Sequence, residues 1–325
     1  MERTIGDRKV GAVGLGLMRL TWNPKAPSIE QAIEVMKAAV ENGSTFFNGG
    51  EFYGPDYSNL KLIAAYFKKY PEDRPKVFIS IKGALNLQTF APASTPDEIR
   101  SSVLNIVKQL DGVHMDLFEP ARIPSMEIEE TMKTCLELQK EGLFTYIGLS
   151  EPSAATVERA VKVGPVAAVE TEFSLFTTDI EENGLLATCE KLNIPLIAYS
   201  PVMRGMLTGK IQRPEDIPEG DFRQTLPRFQ GENFYHNLAL VEKVKEIAEK
   251  SQLTSTQVAI GWVLKQSKLI IALPGSTTIE QATQNAESGK QEVSDEDDKQ
   301  LRAILAKLGI KGDRYNSHMM QVVAK

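Results

Sequence analysis

The chain is expected to fold as α/β, a single-domain (β/α)8 TIM barrel, and three observations carry that expectation. Apolar strand-like runs alternate with amphipathic helical segments from end to end, eight such runs can be counted, and no composition shift or Pro/Gly/Ser linker divides the 325 residues. Strands alternating with helices imply a parallel sheet. Eight of them, with right-handed crossovers, close it into a barrel wrapped by helices.

The first run, 12–17, carries Gly14 and Gly16, as suits a strand entering a crowded interior. A dinucleotide fingerprint is rejected there, because its third glycine is missing and the segment does not open a helix. Ser28 caps a helix over 29–41, and the second strand, 45–47, ends in Asn48-Gly49-Gly50 with Tyr53 just beyond. Ser58 opens the next helix, and the third strand, 76–81, leads into Lys82. Helices at 96–110, 128–141 and 155–163 show apolar residues at three-and-four spacing; Gly142 closes the second and Ser153 caps the third. Between and after them lie strands 115–118, 144–149, 167–169, 195–198 and 269–272. Two parts break the rhythm. A loop at about 204–233, rich in Gly, Pro and charge, follows the seventh strand, on the face where barrels build their sites. After a helix at 294–307, a tail at 309–325 either covers the barrel mouth or is disordered.

Composition excludes several classes of function. With 42% apolar and 25% charged residues, a net charge of −6 and a pI near 5.4, the chain has an ordinary core and no basic surplus for nucleic acid or an anionic membrane. No apolar run is long enough to span a bilayer, and Met1-Glu2-Arg3-Thr4-Ile5-Gly6 lacks a signal-peptide core, so a cytoplasmic address is expected, with the nucleus as an additional one. Cys135 and Cys189 stand far apart in predicted helices, which favours buried, reduced thiols. His114, His236 and His318 have no ligand spacing, so no metal is expected. The outer helices show no apolar surplus that would name an oligomeric state.

Tyr53 and Lys82 fall at the same end of neighbouring predicted strands. An ammonium beside a phenol lowers the phenol's pKa and makes it a usable proton donor. On these two residues alone, a surface lysine and a half-buried loop tyrosine account for the pattern at least as well. Two further segments, Pro274-Gly275-Ser276-Thr277-Thr278 before a helix and Ser200-Pro201-Val202-Met203-Arg204-Gly205 after a strand, offer amides and hydroxyls suited to phosphate.

An ordered series of short motifs resembles the aldo-keto reductases over nearly the whole chain. It comprises Gly14-Leu15-Gly16-Leu17-Met18, Phe46 to Gly54, Lys82-Gly83, Asp116-Leu117, Tyr146 to Ser150, Glu172-Phe173-Ser174-Leu175, Ala198-Tyr199-Ser200-Pro201, Arg204 to Gly209, Asp221-Phe222-Arg223, Pro227-Arg228-Phe229 and Pro274-Gly275-Ser276. Within that family the chain is similar to fungal pyridoxal reductases, through Gly50 to Gly54, Leu60-Lys61-Leu62, Tyr70-Pro71-Glu72, Ala121-Arg122, Ala168-Val169-Glu170 and Arg314-Tyr315-Asn316.

The resemblance implies an NADPH-dependent oxidoreductase that reduces the carbonyl of a small-molecule aldehyde, pyridoxal to pyridoxine in vitamin B6 metabolism. Tyr53 falls on the proton donor and Lys82 on its lysine. The family's aspartate and histidine positions are Asn48 and Ala121 here. Asn48 can accept a hydrogen bond from Lys82 without offsetting its charge. Glu119, facing inward with Leu117 and Ala121, is the expected substitute carboxylate. Tyr199 is expected to stack on the nicotinamide and Ser150 to contact its carboxamide, with Glu151 and Glu170 where asparagine and glutamine are usual. Arg204, Gly205, Leu207 and Gly209 match the pyrophosphate loop, with Ser200 before them a further expected cofactor contact; Ser276, Thr278 and Asn285 match the adenosine end. Gln281 stands where a basic residue often clamps the 2'-phosphate, so the preference for NADPH over NADH is expected to be modest. Trp22, Phe52, Ala121 and Arg122 are the expected substrate contacts, with Arg314-Tyr315 of the tail as further candidates. A broad-range aldehyde or ketone reductase, and a non-catalytic nucleotide-sensing regulatory subunit, are the alternatives.

Overall fold

Eight parallel strands form the centre of the computed structural model, which describes residues 1–324. They are β3 (Leu15–Gly16), β4 (Phe46–Gly50), β5 (Phe78–Gly83), β6 (Met115–Pro120), β7 (Phe144–Ser150), β8 (Ala168–Glu172), β9 (Leu196–Tyr199) and β10 (Ile270–Leu273), hydrogen-bonded in sequence order. Bridges Val13↔Ala272 and Gly16↔Gly275 join the first strand to the last. The Gly14 N–H donates to the Ala272 carbonyl and the Ala272 N–H to the Ala12 carbonyl, each at 2.9 Å, so the sheet closes and no edge is left free.

A hairpin of β1 (Glu2–Ile5) and β2 (Arg8–Gly11) precedes the barrel and was not among the sequence expectations. It presents only two buried apolar side chains, Ile5 and Val10. These pack against Phe46, Phe78, Leu117, Ala168, Ile197 and Ile271, residues near the N-terminal ends of their strands. The hairpin therefore seals that end. Each such side chain contributes about 1.5–3 kcal/mol of apolar burial.

Helices between the strands bury their apolar faces against the outside of the barrel, as in Ile29–Glu41, where Ala32, Ile33, Val35, Met36 and Ala39 point inward. Ser28 accepts from the Gln31 N–H and Gln31 returns the bond, a capping box contributing about 1 kcal/mol. Ser153 caps Ala154–Ala160, and Gly142, at φ +79°, ends Ile128–Lys140. Both cysteines are buried. No helix among the described residues is long and apolar enough to cross a membrane.

Several strands continue past the end of their apolar run. The strands β4, β5 and β8 run two or more residues past the predicted ends at 47, 81 and 169, through Asn48, Lys82 and Glu170. Backbone pairing continues where side-chain polarity ends the apolar run. The first strand is instead shorter than 12–17. The loop after β9 is not featureless: it forms the 3-10 turns Met203–Thr208, Pro214–Asp216, Phe222–Thr225 and Pro227–Phe229 before a helix starts at Gly231. Asp221 stabilises it by accepting from both the backbone and the guanidinium of Arg223. The tail folds over the barrel, with Arg314 and Tyr315 only 8% and 5% exposed.

Candidate active site

Alternation along each strand determines what enters the barrel. Phe46, Phe78, Leu117 and Ala168 face inward in the lowest layer, so two residues later Asn48, Ser80, Glu119 and Glu170 face inward above them. Lys82 follows one layer higher on β5, paired in register with Gly50 and Glu119. The same alternation that builds an apolar floor thus delivers a polar layer at the C-terminal end.

Those side chains form one buried network. The Lys82 ammonium donates to Asn48 Oδ1 at 2.7 Å and to Glu170 Oε1; Asn48 Nδ2 donates to Glu170 Oε2 at 2.7 Å and to Ser80 Oγ at 3.1 Å. Ser80 Oγ donates to Glu119 Oε2 at 2.7 Å, while Glu119 Oε1 is buried without a partner. Gly148 makes room for that carboxyl, since a Cβ there would lie 2.8 Å from Glu119 Cγ. The carboxylate in contact with Lys82 is therefore Glu170, not Glu119 as expected, because Glu119 is held one step away by Ser80. The missing charge at Asn48 is likewise offset, by Glu170.

Tyr53 sits on the turn after β4, 8% exposed. Its ring lies over Gly50, where a Cβ would come within 3.0–3.1 Å of the ring atoms, and its carbonyl accepts from Thr21 Oγ1 at 2.8 Å. The Lys82 ammonium is 5.4 Å from the ring centre. Burial pushes the Tyr53 phenol up, the ammonium draws it back, and Glu170 adds to the rise; the net direction is upward, against the lowering expected from the lysine alone. Burial opposes the charge on Lys82, yet Glu170, Tyr53 and Glu119 together raise its pKa. Glu119 is pushed up to about 8 by burial and by Glu170 beside it, so it holds its proton at neutral pH.

A second network crosses the mouth. Glu151, at φ +57°, accepts from the Tyr199 phenol at 2.7 Å, from Arg314 at 3.0 and 3.3 Å, and from the Glu172 N–H at 3.1 Å. Tyr199 and Tyr315 share a hydrogen bond of 2.9 Å between their phenols. Burial raises the Glu151 pKa, but the guanidinium groups of Arg314 and Arg122 outweigh it and hold the carboxyl below its usual value. The Arg204 guanidinium donates to Glu172 Oε2 at 3.1 Å and lies 4.7 Å from the Tyr315 ring centre. Glu172, quoted above only within a family motif and given no role in the site, shares its inward face with Ala168 and Glu170; that alternation is the signal in the sequence.

The remaining expected cofactor residues divide into three groups. Ser150 Oγ, beside this network, is a buried hydroxyl with no partner. Ser200, Gly205, Leu207 and Gly209 lie at or in the turn Met203–Thr208, where Ser200, Arg204, Gly205 and Gly209 all have positive φ. Ser276, Thr278, Gln281 and Asn285 gather at the start of the helix Ile279–Ser288. There Thr278 caps the Gln281 N–H at 3.2 Å, Asn285 donates to Ser276 Oγ at 3.0 Å, and Gln281 Oε1 accepts from the Thr277 N–H at 2.9 Å. A cavity of about 400 Å³ runs from that helix, at Glu280 and Gln284, to Thr208.

On the substrate side, a cavity of about 510 Å³ opens beside Tyr53, walled by Trp22, Phe52 and Phe90. Trp22 and Phe90 stack at 5.7 Å, and Phe52 stands edge-on to both. Tyr53 is not among the residues lining it; its ring lies 6.1 Å from that of Trp22 and 4.8 Å from that of Phe52, both in the wall. Phe90, on the loop after β5, was missed because no periodicity marks a loop aromatic. Ala121 is fully buried, and Arg122 lies beside it with its guanidinium donating to the Ala121 carbonyl at 2.6 Å, 5.9 Å from the Tyr315 ring centre.

Comparison with known proteins bears on the family and on the fold. The profile of the Aldo/keto reductase family matches residues 12–306. A Schizosaccharomyces pombe protein named "Probable pyridoxal reductase 2" is 41% identical over 320 residues, 96% of each chain. The aldo-keto reductase yakc of the same organism, whose name specifies NADP(+), is 35% identical over 330 residues, 96% of this chain and 94% of its own. Among solved structures, a glycerol dehydrogenase from Gluconobacter oxydans superposes with a TM-score of 0.84 at 25% identity, covering 96% of this chain and 97% of that one.

Proposed function

Because the chain belongs to the aldo/keto reductase family, we propose that it is an NADPH-dependent reductase of aldehydes, with pyridoxal, reduced to pyridoxine, as substrate. The observation that carries this reading is the buried Tyr53–Lys82 pair, with its counter-charge, at the C-terminal end of the barrel beside an aromatic-walled cavity. The relatives named for pyridoxal and for NADP(+) support the choice of substrate and cofactor.

The residues fit such a cofactor. Ser150 offers an unpartnered buried hydroxyl for a carboxamide, and the turn at Arg204 and Gly205 together with the start of the helix Ile279–Ser288 offers backbone amides for phosphates. When bound, a reduced nicotinamide supplies a hydride to the carbonyl carbon. Tyr53, whose raised pKa keeps its proton in place at neutral pH, donates that proton to the carbonyl oxygen as negative charge develops there. Lys82 then stabilises the phenolate left behind. Trp22, Phe52 and Phe90 hold a flat ring, and Arg122 offers a cation to a ring hydroxyl.

The test is to incubate the purified protein with NADPH or NADH and a panel of aldehydes, following nicotinamide absorbance. Pyridoxal-dependent oxidation, faster with NADPH, is the expected result. Turnover of many aldehydes with pyridoxal unexceptional would indicate a broad-range reductase. Tight nucleotide binding without turnover of any carbonyl would indicate a sensor.

A further inference from the structure

We propose that Glu170 carries the negative charge on which the Lys82 ammonium depends, and that Asn48 and Glu170 form an amide–carboxylate pair whose two chemistries can be exchanged between the positions. This rests on the reductase reading for its kinetic arm only. Lys82, Asn48 and Glu170 close a triangle of hydrogen bonds across the barrel interior, from strands β5, β4 and β8. Lys82 donates to one oxygen of each neighbour, and Asn48 Nδ2 donates to the second oxygen of Glu170. Place aspartate at 48 and glutamine at 170, and every one of these bonds has a counterpart. Lys82 again donates to one oxygen of each, while the amide NH2 now comes from position 170 and the second carboxylate oxygen from position 48.

The charge count singles out Glu170. The titratable and charged groups facing Lys82 are Glu170 in contact, Glu119 through Ser80, and Tyr53, with Arg122 acting on the same phenol. Two ionised carboxyls beside a single ammonium would leave one unbalanced in a buried site, and Glu119, whose Oε1 has no donor, is the one that keeps its proton. One cation and one anion remain. Glu170 is thus a positioning residue that acts through Lys82: it keeps the lysine charged and, by its own charge, holds the Tyr53 proton on the ring.

The experiment compares Glu170→Gln, Asn48→Asp and the double exchange Asn48→Asp/Glu170→Gln in the full chain. The first readout needs no substrate: the tyrosinate absorbance of Tyr53 against pH, isolated by subtracting the same variant carrying Tyr53→Phe. Glu170→Gln should move that titration down by about one pH unit or more, since the ammonium is no longer balanced, and the double exchange should bring it back. The second readout is kcat on whichever aldehyde the wild type reduces fastest. Glu170→Gln should lose about a hundredfold, and the double exchange should recover at least about tenfold of it. A Glu170→Gln protein with unmoved titration, or a double exchange no better than Glu170→Gln in either readout, overturns the proposal. If Glu170→Gln does not fold, the double exchange is judged against wild type: kcat above about one tenth supports the pair, and a lower kcat or a failure to fold overturns it. If the wild type reduces no aldehyde, the reductase reading fails while the titration still decides the role of Glu170.

Discussion

The two ends of the barrel are built by the same strands and obey opposite rules. At the N-terminal end Ile5 and Val10 of the hairpin close over Phe46, Phe78, Leu117 and Ala168, an apolar layer that gains stability from every methylene buried. Four residues or fewer further along, the same strands bury Asn48, Lys82, Glu119 and Glu170. Each charge there has been taken out of water, and its partner returns little more than that desolvation. The lower end holds the strands in register. The upper end uses that register to hold an ammonium and a carboxylate together on strands β5 and β8, beside a phenol carried on the turn that follows β4.

The sharpest way to break this comparison is Tyr53→Phe. The ring keeps its packing against Trp22 and Phe52, so thermal stability should stay within about 0.5 kcal/mol, while kcat should fall by about 10² to 10⁴ through loss of the proton donor. A variant with wild-type kcat would remove Tyr53 from the chemistry. At the other end, Phe78→Ala empties a fully buried position beneath the polar layer. It should destabilise the protein by about 3–5 kcal/mol in denaturant unfolding, with kcat reduced far less than by Tyr53→Phe. A large kcat loss at full stability would show that the two ends are not separable in this way.

The same contrast explains what the sequence made legible. Phe46, Phe78 and Ile197 announce strands because apolar runs in an α/β chain have few other uses, and Tyr53 and Lys82 stand out by falling just past two of those runs. The strand ends themselves were read short, since Asn48, Gly49, Lys82 and Glu170 break an apolar pattern without breaking backbone pairing. The hairpin was missed because Glu2, Arg3, Arg8 and Lys9 leave only Ile5 and Val10 as signal. The partner of Lys82 was misplaced for a different reason. Alternation correctly sends Glu119 inward, but which of two inward carboxylates reaches the ammonium depends on the curvature that brings β8 across the barrel from β5, the partners being 88 positions apart in sequence. The tail posed the hardest case: nothing local to Arg314 or Tyr315 says that Glu151 and Tyr199 receive them.

The smallest expected effect sharpens the comparison most, because it asks what the polar layer does to stability. Glu119 has a folded-state pKa of about 8, whereas in the unfolded chain it titrates in the ordinary carboxylate range. Between those two values the folded protein holds a proton that the unfolded chain has released, so stability is greatest at the acid side of the window and falls as pH rises towards 8. Once pH exceeds the folded value, both states have lost the proton and the contribution stops changing. An amide at this position stays neutral throughout and can keep the bond from Ser80, so Glu119→Gln should flatten the decline in thermal stability between about pH 5 and about pH 8. Unfolding of wild type and variant side by side across that range is the measurement. Parallel slopes would mean that Glu119 is already ionised in the folded protein, and the layer above the apolar floor would then hold two buried carboxylates against one ammonium.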